Sequence, residues 1–392
     1  MNLFLMFFTT FFIQLIIATE MNIIAPLAPF LSQYFNIKDS WVIMFNIGFS
    51  LVGILVPILG VFADKYGKRK SLMVALIFYI AGTLISGFSN NPIQFALGRI
   101  FIGIGYFSLS GTNLSYLSEF VPYESRGKAS GILRGAFGIA ILFSPLYATN
   151  MIDKYGTLKN VYLPLTIVGL ICLLLLIKLP ETKKSKEVKV DMNELLTMVK
   201  KPINYKSLIV VFLILAAPAL LLSFLGIYIS NNFNLNQVEI GYVYTIVAFG
   251  TIVGIIFAAL FTDKIGKEKL SRILFTLVLL ALIPIVFSKS VGIIIILLTL
   301  VTIGLDGGWT AYQTLCSEIN PKKRGTFMSL FYTVNAMAVT FYSTLGPIFY
   351  RIGGYKFLVI ISIITTSIAL KILYSLSIEK DIINKKIYSS RF

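Results

Sequence analysis

The chain has 392 residues, of which 57% are hydrophobic and 13% charged, with no histidine and two cysteines. A soluble domain is close to half apolar and a quarter charged, so this balance excludes a water-soluble fold, while the missing histidines exclude histidine catalysis and His-bearing zinc sites. The net charge of +17 is spread in short blocks between apolar runs, which excludes nucleic acid as partner and leaves the lipid bilayer as the solvent.

A helix needs about 20 apolar residues to cross the hydrocarbon layer. Runs of that kind predict spans at 3–31, 41–63, 70–88, 92–117, 127–150 and 160–179. Glu20 falls in the first, Arg99 in the fourth and Arg134 in the fifth. A polar linker follows at 180–206, where Val190, Leu195, Leu196 and Val199 suggest a short amphipathic helix on the inner membrane surface. A second set of spans is predicted at 207–231, 238–262, 270–288, 291–316, 326–350 and 355–377, with Asp306 in the tenth. The fold class is therefore all-α integral membrane, twelve helices in two six-helix bundles, 1–179 and 207–377, with a tail at 378–392.

Basic loops face the cytoplasm. With both termini inside, the inward segments hold 24 Lys or Arg and the outward loops hold six. The expected setting is a multi-pass protein of the cell membrane with cytoplasmic termini. Cys172 and Cys316 both lie in apolar runs and are expected as small core residues.

The two halves share an internal repeat. Gly60-Val61-Phe62-Ala63-Asp64-Lys65-Tyr66-Gly67-Lys68-Arg69-Lys70 aligns at an offset of 199 with Ala259-Leu260-Phe261-Thr262-Asp263-Lys264-Ile265-Gly266-Lys267-Glu268-Lys269. The same offset carries Glu119 to Glu318 and Pro122 to Pro321. In this segment Gly60 allows close backbone approach and Gly67 a tight turn. Asp64 suits a facing helix N-terminus, and Arg69 is expected to reach Glu119. Gly60, Asp64, Gly67, Arg69, Lys70, Glu119 and Asp263 thus form a candidate cytoplasmic gate, the alternative being a basic loop that only sets topology.

The segment resembles the signature loop of the major facilitator superfamily, G-x-x-x-D-x-x-G-x-[RK]-[RK]. Glu20-Met21-Asn22-Ile23-Ile24-Ala25-Pro26-Leu27-Ala28-Pro29 is similar to the acidic residue and later proline in helix one of its twelve-helix drug:proton antiporters. Leu97-Gly98-Arg99 with Gly103 and Gly105 resembles their helix-four motif. One departure stands out: antiporter members show G-x-x-x-G-P-x-x-G-G in helix five, and the matching stretch keeps Pro145 but not the flanking glycines. The resemblance implies two pseudo-symmetric bundles and transport by alternating access.

Charges inside a membrane are costly and mark function by default. Glu20, Arg99 and Asp306 are the candidate proton-coupling residues, a role the resemblance supports, with structural salt bridges as the alternative. The resemblance also points to Arg134, Asn113, Tyr116, Tyr228, Trp309, Tyr312, Gln313 and Asn335 as substrate-cavity residues, where amides mixed with aromatic faces suit an amphiphilic solute. Ordinary helix–helix hydrogen bonding is the alternative for each uncharged residue, and snorkelling or a place in the inner gate is the alternative for Arg134. No G-x-x-x-x-G-K-[ST] loop occurs, so the expected energy source is a proton gradient and no cofactor or metal is implied. The expected partners are a small molecule, protons and lipid, acting on a monomer that is not an enzyme. Export of an amphiphilic solute or drug leads; uptake of a nutrient or organic anion is the alternative, and a non-transporting sensor a remote one.

Overall fold

Proline and glycine punctuate the apolar runs, and the helices start, bend and stop where those residues require it. The computed structural model describes residues 3–122, 126–182, 197–320 and 324–376. The first span is broken: α1 (Leu3–Met21) loosens into turns over 22–27 and resumes as α2 (Ala28–Phe35). Pro26 and Pro29 lack an N–H and disfavour helical backbone in the residue before them. The second span is also broken, into a 3-10 segment Asp39–Met44, α3 (Phe45–Gly53) and α4 (Val56–Tyr66). Continuous helices follow: α5 (Lys68–Gly87), α6 (Pro92–Phe120), α7 (Arg126–Tyr155) and α8 (Leu158–Ile177).

The seventh span begins at Pro202, five residues ahead of the predicted 207, because proline suits the first helical position. It runs through α9 (Pro202–Ile214), a π-helical segment Pro218–Leu222 and α10 (Ser223–Phe233). Pro218 removes one ladder donor and the local hydrogen bonding re-registers there. Next come α11 (Gln237–Ile265), α12 (Lys267–Ile285), α13 (Val291–Ile319) and α14 (Arg324–Ser375). Gly353 and Gly354 carry non-helical backbone and divide α14 into two spans. Nine helical stretches among the described residues are long and apolar enough to cross a membrane. With α14 counted twice, and the broken second span and α12 added, twelve spans result. The predicted linker helix falls mostly on 183–196, and the tail at 378–392; both lie outside the described residues.

The repeat survives in three dimensions. Gly67 and Gly266 have φ of +98° and +96°, with ψ of 139° and 138°. Only glycine adopts that backbone freely, so the motif turn is one structure used twice. A Cβ on Gly105 would lie 2.9 Å from the Ala75 carbonyl and 2.7 Å from Tyr79; one on Gly304 would lie 2.7 Å from the Leu274 carbonyl and 2.8 Å from Val278. Each of those three positions in the second half is the first-half position plus 199. The sequence offset therefore reports equivalent helix contacts, α5 on α6 and α12 on α13.

Two compact units emerge. One holds Met1–Val190 with Phe224–Thr245, the other Asp191–Ser223 with Ile246–Phe392. The grouping departs from simple chain order because α10 and the start of α11 are tied into the first unit. Asn231 Nδ2 donates to Asp39 Oδ2 at 2.8 Å, Gln237 Nε2 to the Pro26 carbonyl at 2.7 Å, and Thr245 Oγ1 to the Leu142 carbonyl at 3.0 Å. The carbonyl at the break in the first span is thereby satisfied by a side chain, as a buried polar group must be.

Candidate functional site

The break after Met21 leaves Glu20 in the last turn of α1, where its side chain meets Arg99 on α6. Arg99 Nη1 and Glu20 Oε1 form an ion pair, with Arg99 1% and Glu20 0% exposed. Arg99 Nη2 donates to Asn46 Oδ1 at 3.0 Å, and the guanidinium carbon lies 4.8 Å from the Phe49 ring centre. Removing two charges from water costs several kcal/mol per ion; the pairing, the Asn46 acceptor and the ring face offset that cost. Two polar atoms remain buried without a hydrogen bond, Glu20 Oε2 and Arg99 Nε. Asn46 and Phe49 escaped the sequence reading. Asn46 was findable as an amide within an apolar run, whereas Phe49 carried no signal.

Asp306 belongs to the second unit. Its Oδ2 accepts a 2.6 Å hydrogen bond from Thr251 Oγ1, and its backbone carbonyl accepts from Thr310. The contact exists because α11 and α13 approach closely at glycines: a Cβ on Gly307 would stand 2.8 Å from the Gly254 carbonyl. Asp306 has no cationic partner among the described residues, so it is a carboxyl held by one hydroxyl, unlike Glu20.

The predicted cavity residues separate into two groups. Asn113, Tyr116 and Tyr312 are fully buried. Asn113 Nδ2 donates to the Thr10 carbonyl at 2.8 Å, Tyr116 Oη to Pro180 at 2.8 Å and Tyr312 Oη to Ser207 at 2.9 Å. These three tie helices together through backbone carbonyls, which corrects the expectation that they face a solute. Arg134 is exposed and makes no hydrogen bond or ion pair among the described residues; Gly131 and Gly135 beside it have open space where a side chain would stand. In the second unit Trp309 packs 5.0 Å from Phe331, Gln313 donates to Tyr332 Oη at 2.5 Å, and Asn335 is half-buried. Tyr228 is half-buried on α10, edge-on to Phe233 at 5.7 Å.

At the motif loops the partners differ from expectation. Glu119 pairs with Lys68, not with Arg69. One helical step past Lys68 rotates the next side chain by about 100°, which sends Arg69 to the end of α8. There it donates to the Leu179 carbonyl at 2.7 Å and lies 3.5 Å from Glu181. Glu181 Oε1 accepts the Arg69 N–H at 3.0 Å, and Thr182 Oγ1 accepts the Lys68 N–H at 3.0 Å. Glu181 and Thr182 therefore cap α5, a role hidden in the sequence because it needs a partner about 110 residues away. The second half repeats the pattern: Lys267 pairs with Glu318 at 2.6 Å, and Arg272 donates to the Leu373 and Leu376 carbonyls at 3.1 and 2.6 Å. Lys70 and Asp263 are exposed. The surroundings of Gly60 and of the Asp64 side chain lie outside what the structure describes. No group of metal-ligating side chains occurs among the described residues.

A duplicated twelve-span bundle with buried charges in its helices is the architecture of a polytopic membrane transporter. The family model for the Major Facilitator Superfamily matches residues 10–217 and 207–386, so the chain belongs to that family. It is 26% identical over 319 residues to the sialic acid transporter NanX of Escherichia coli (strain K12), covering 77% of each chain. It is 27% identical over 185 residues to multidrug resistance protein 3 of Bacillus subtilis (strain 168), covering 47% of this chain and 35% of that one. Among solved structures it resembles a D-xylose-proton symporter at a TM-score of 0.75 and 17% identity, over 94% of this chain and 97% of the other. The chain is thus a membrane transporter and not an enzyme.

Proposed function

We propose that this transporter moves a small organic anion across the cell membrane by alternating access coupled to protons, with both termini in the cytoplasm. The observation that carries the proposal is the buried Glu20–Arg99 pair. A carboxylate held only by one cation exchanges that cation for a proton when the helices around it shift, which couples movement to proton occupancy. Asp306, held by a single hydroxyl, is the second proton carrier. Arg134 supplies the cargo contact, since an exposed guanidinium without an ion pair suits a carboxylate geometrically and electrostatically. The relative that aligns over most of its length carries a sialic acid, an organic anion by its chemistry, which favours the same class here.

A second reading is export of an amphiphile or drug by proton antiport. The aromatic face of Trp309, Phe331 and Tyr332 with Gln313 favours it, as does the partial match to a multidrug resistance protein. The burial of Asn113, Tyr116 and Tyr312 removes much of the mixed pocket on which it rested. Proteoliposomes decide between them. Under an imposed pH gradient, a panel of sugar acids and lipophilic cations is offered to the wild type and to Arg134→Gln. The proposal expects pH-driven flux of an acid, reduced about tenfold or more by Arg134→Gln through loss of a charged contact. Flux confined to lipophilic cations, or flux indifferent to the pH gradient, refutes it.

A further inference from the structure

Three buried polar atoms near the Glu20–Arg99 pair have no hydrogen-bond partner: Glu20 Oε2, Arg99 Nε and Tyr162 Oη. Buried polar groups are ordinarily satisfied, so three orphans in one neighbourhood ask for a common explanation. Tyr162 lies on α8, fully buried, with its ring 6.1 Å from Phe95 in an edge-on contact. Phe95 is one helical turn before Arg99 on α6 and shares its face. The phenol therefore sits within hydrogen-bonding reach of the Arg99 guanidinium and electrostatic reach of Glu20, although no well-aligned hydrogen bond is formed. A phenol both donates and accepts, so it can accept from Arg99 Nε and donate to Glu20 Oε2 together.

The other groups around the pair are already engaged. Tyr79 on α5 donates to the Ile16 carbonyl at 2.8 Å, Tyr106 on α6 contacts Met21 Sδ at 3.0 Å, Tyr147 on α7 donates to the Val161 carbonyl at 2.7 Å, and Asn46 on α3 accepts from Arg99. We propose that Tyr162 is the third member of this site, a positioning residue whose hydroxyl bridges Arg99 Nε and Glu20 Oε2 and so sets the pH at which Glu20 exchanges its proton. The inference rests on the proposal that Glu20 carries the coupled proton.

The test is the pH profile of cargo flux in proteoliposomes for wild type, Tyr162→Phe, Tyr79→Phe and Glu20→Gln. Tyr162→Phe keeps the ring against Phe95 and deletes one donor to the carboxylate, so its midpoint moves about half a pH unit or more toward alkaline. Tyr79→Phe, which loses a bond to a backbone carbonyl, leaves the midpoint in place. If Tyr162→Phe folds poorly, 3-fluorotyrosine at position 162 keeps the hydroxyl as a stronger donor and moves the midpoint toward acid. An unmoved midpoint in the Tyr162 variants, with pH dependence abolished in Glu20→Gln, overturns the role of Tyr162 alone. Wild-type pH dependence in Glu20→Gln overturns the proton-carrier assignment of Glu20 and the inference with it.

Discussion

Neutralising Glu20 and Arg99 singly and together tests whether they act as one buried unit. Glu20→Gln leaves the Arg99 guanidinium, 1% exposed, without a counter-charge; Arg99→Met leaves the Glu20 carboxylate in the same position. Breaking a buried pair from one side costs about 3–5 kcal/mol, mostly the desolvation of the charge left behind. Independent effects would sum to about 6–10 kcal/mol in the double variant. The structure predicts otherwise, because Glu20→Gln combined with Arg99→Met leaves no buried charge, only neutral polar groups, Asn46 Oδ1 and the amide at position 20, whose unmade hydrogen bonds cost about 1–3 kcal/mol each. The double variant should therefore be at least as stable as either single one, with a coupling energy above about 2 kcal/mol. Equilibrium unfolding of purified protein in mixed micelles measures all four corners of the cycle. Lys68 and Glu119, 14% and 32% exposed, provide the comparison, with a coupling of at most about 1 kcal/mol. Additivity of the Glu20 and Arg99 effects to within about 0.5 kcal/mol would refute the claim that the pair is a single electrostatic unit.

Gly67→Ala and Gly266→Ala each force a side chain into positive-φ backbone at about 1–3 kcal/mol. Gly67→Ala should lose more in a thermal melt, since its Cβ would stand 2.7 Å from the Glu181 carboxylate. Tyr312→Phe and Asn113→Ala should lower stability by about 1 kcal/mol or more without altering KM for any cargo, as expected of helix ties; a large rise in KM in a saturation curve would restore them as cargo contacts. Glu119→Gln and Glu318→Gln should slow turnover by similar factors while leaving the pH profile of flux in place, a comparison that a rapid-filtration assay resolves. A shift of that profile in either variant would move these carboxylates from gating to coupling.

The spans were legible because lipid imposes a length and a polarity on any helix that crosses it. Chain order alone did not show that α10 and the start of α11 belong with the first unit, since this depends on side chains such as Asn231 and Gln237 finding partners about 200 residues away. Glu20, Arg99 and Asp306 were visible because a charge in an apolar run has few innocent explanations. Polar uncharged residues were not visible in that way. Asn113, Tyr116 and Tyr312 read the same whether they face a solute or a neighbouring carbonyl, and their rotation about the helix axis decides which. Arg69 shows the same limit on a smaller scale: a single helical step separates the side chain that reaches Glu119 from the one that reaches Glu181.

The internal repeat separates what the fold needs twice from what the activity needs once. At the offset of 199, Gly67 meets Gly266, Lys68 meets Lys267 and Glu119 meets Glu318, and both copies form the same turn and the same ion pair. At that same offset Glu20 meets Ala219, Arg99 meets Leu298, Asp306 meets Phe107 and Arg134 meets Thr333. Each of the four intramembrane charges proposed for coupling or cargo is therefore unique to one half. A buried charge destabilises wherever it has no task, so a duplicated bundle gains nothing by keeping it in both copies. The motif loops have the opposite economy: they sit near the membrane surface, where an ion pair costs little, and the same turn joins equivalent helices in both units. Symmetry in this chain thus belongs to the turns and ion pairs that join the helices, and asymmetry to the few side chains proposed to meet protons and cargo.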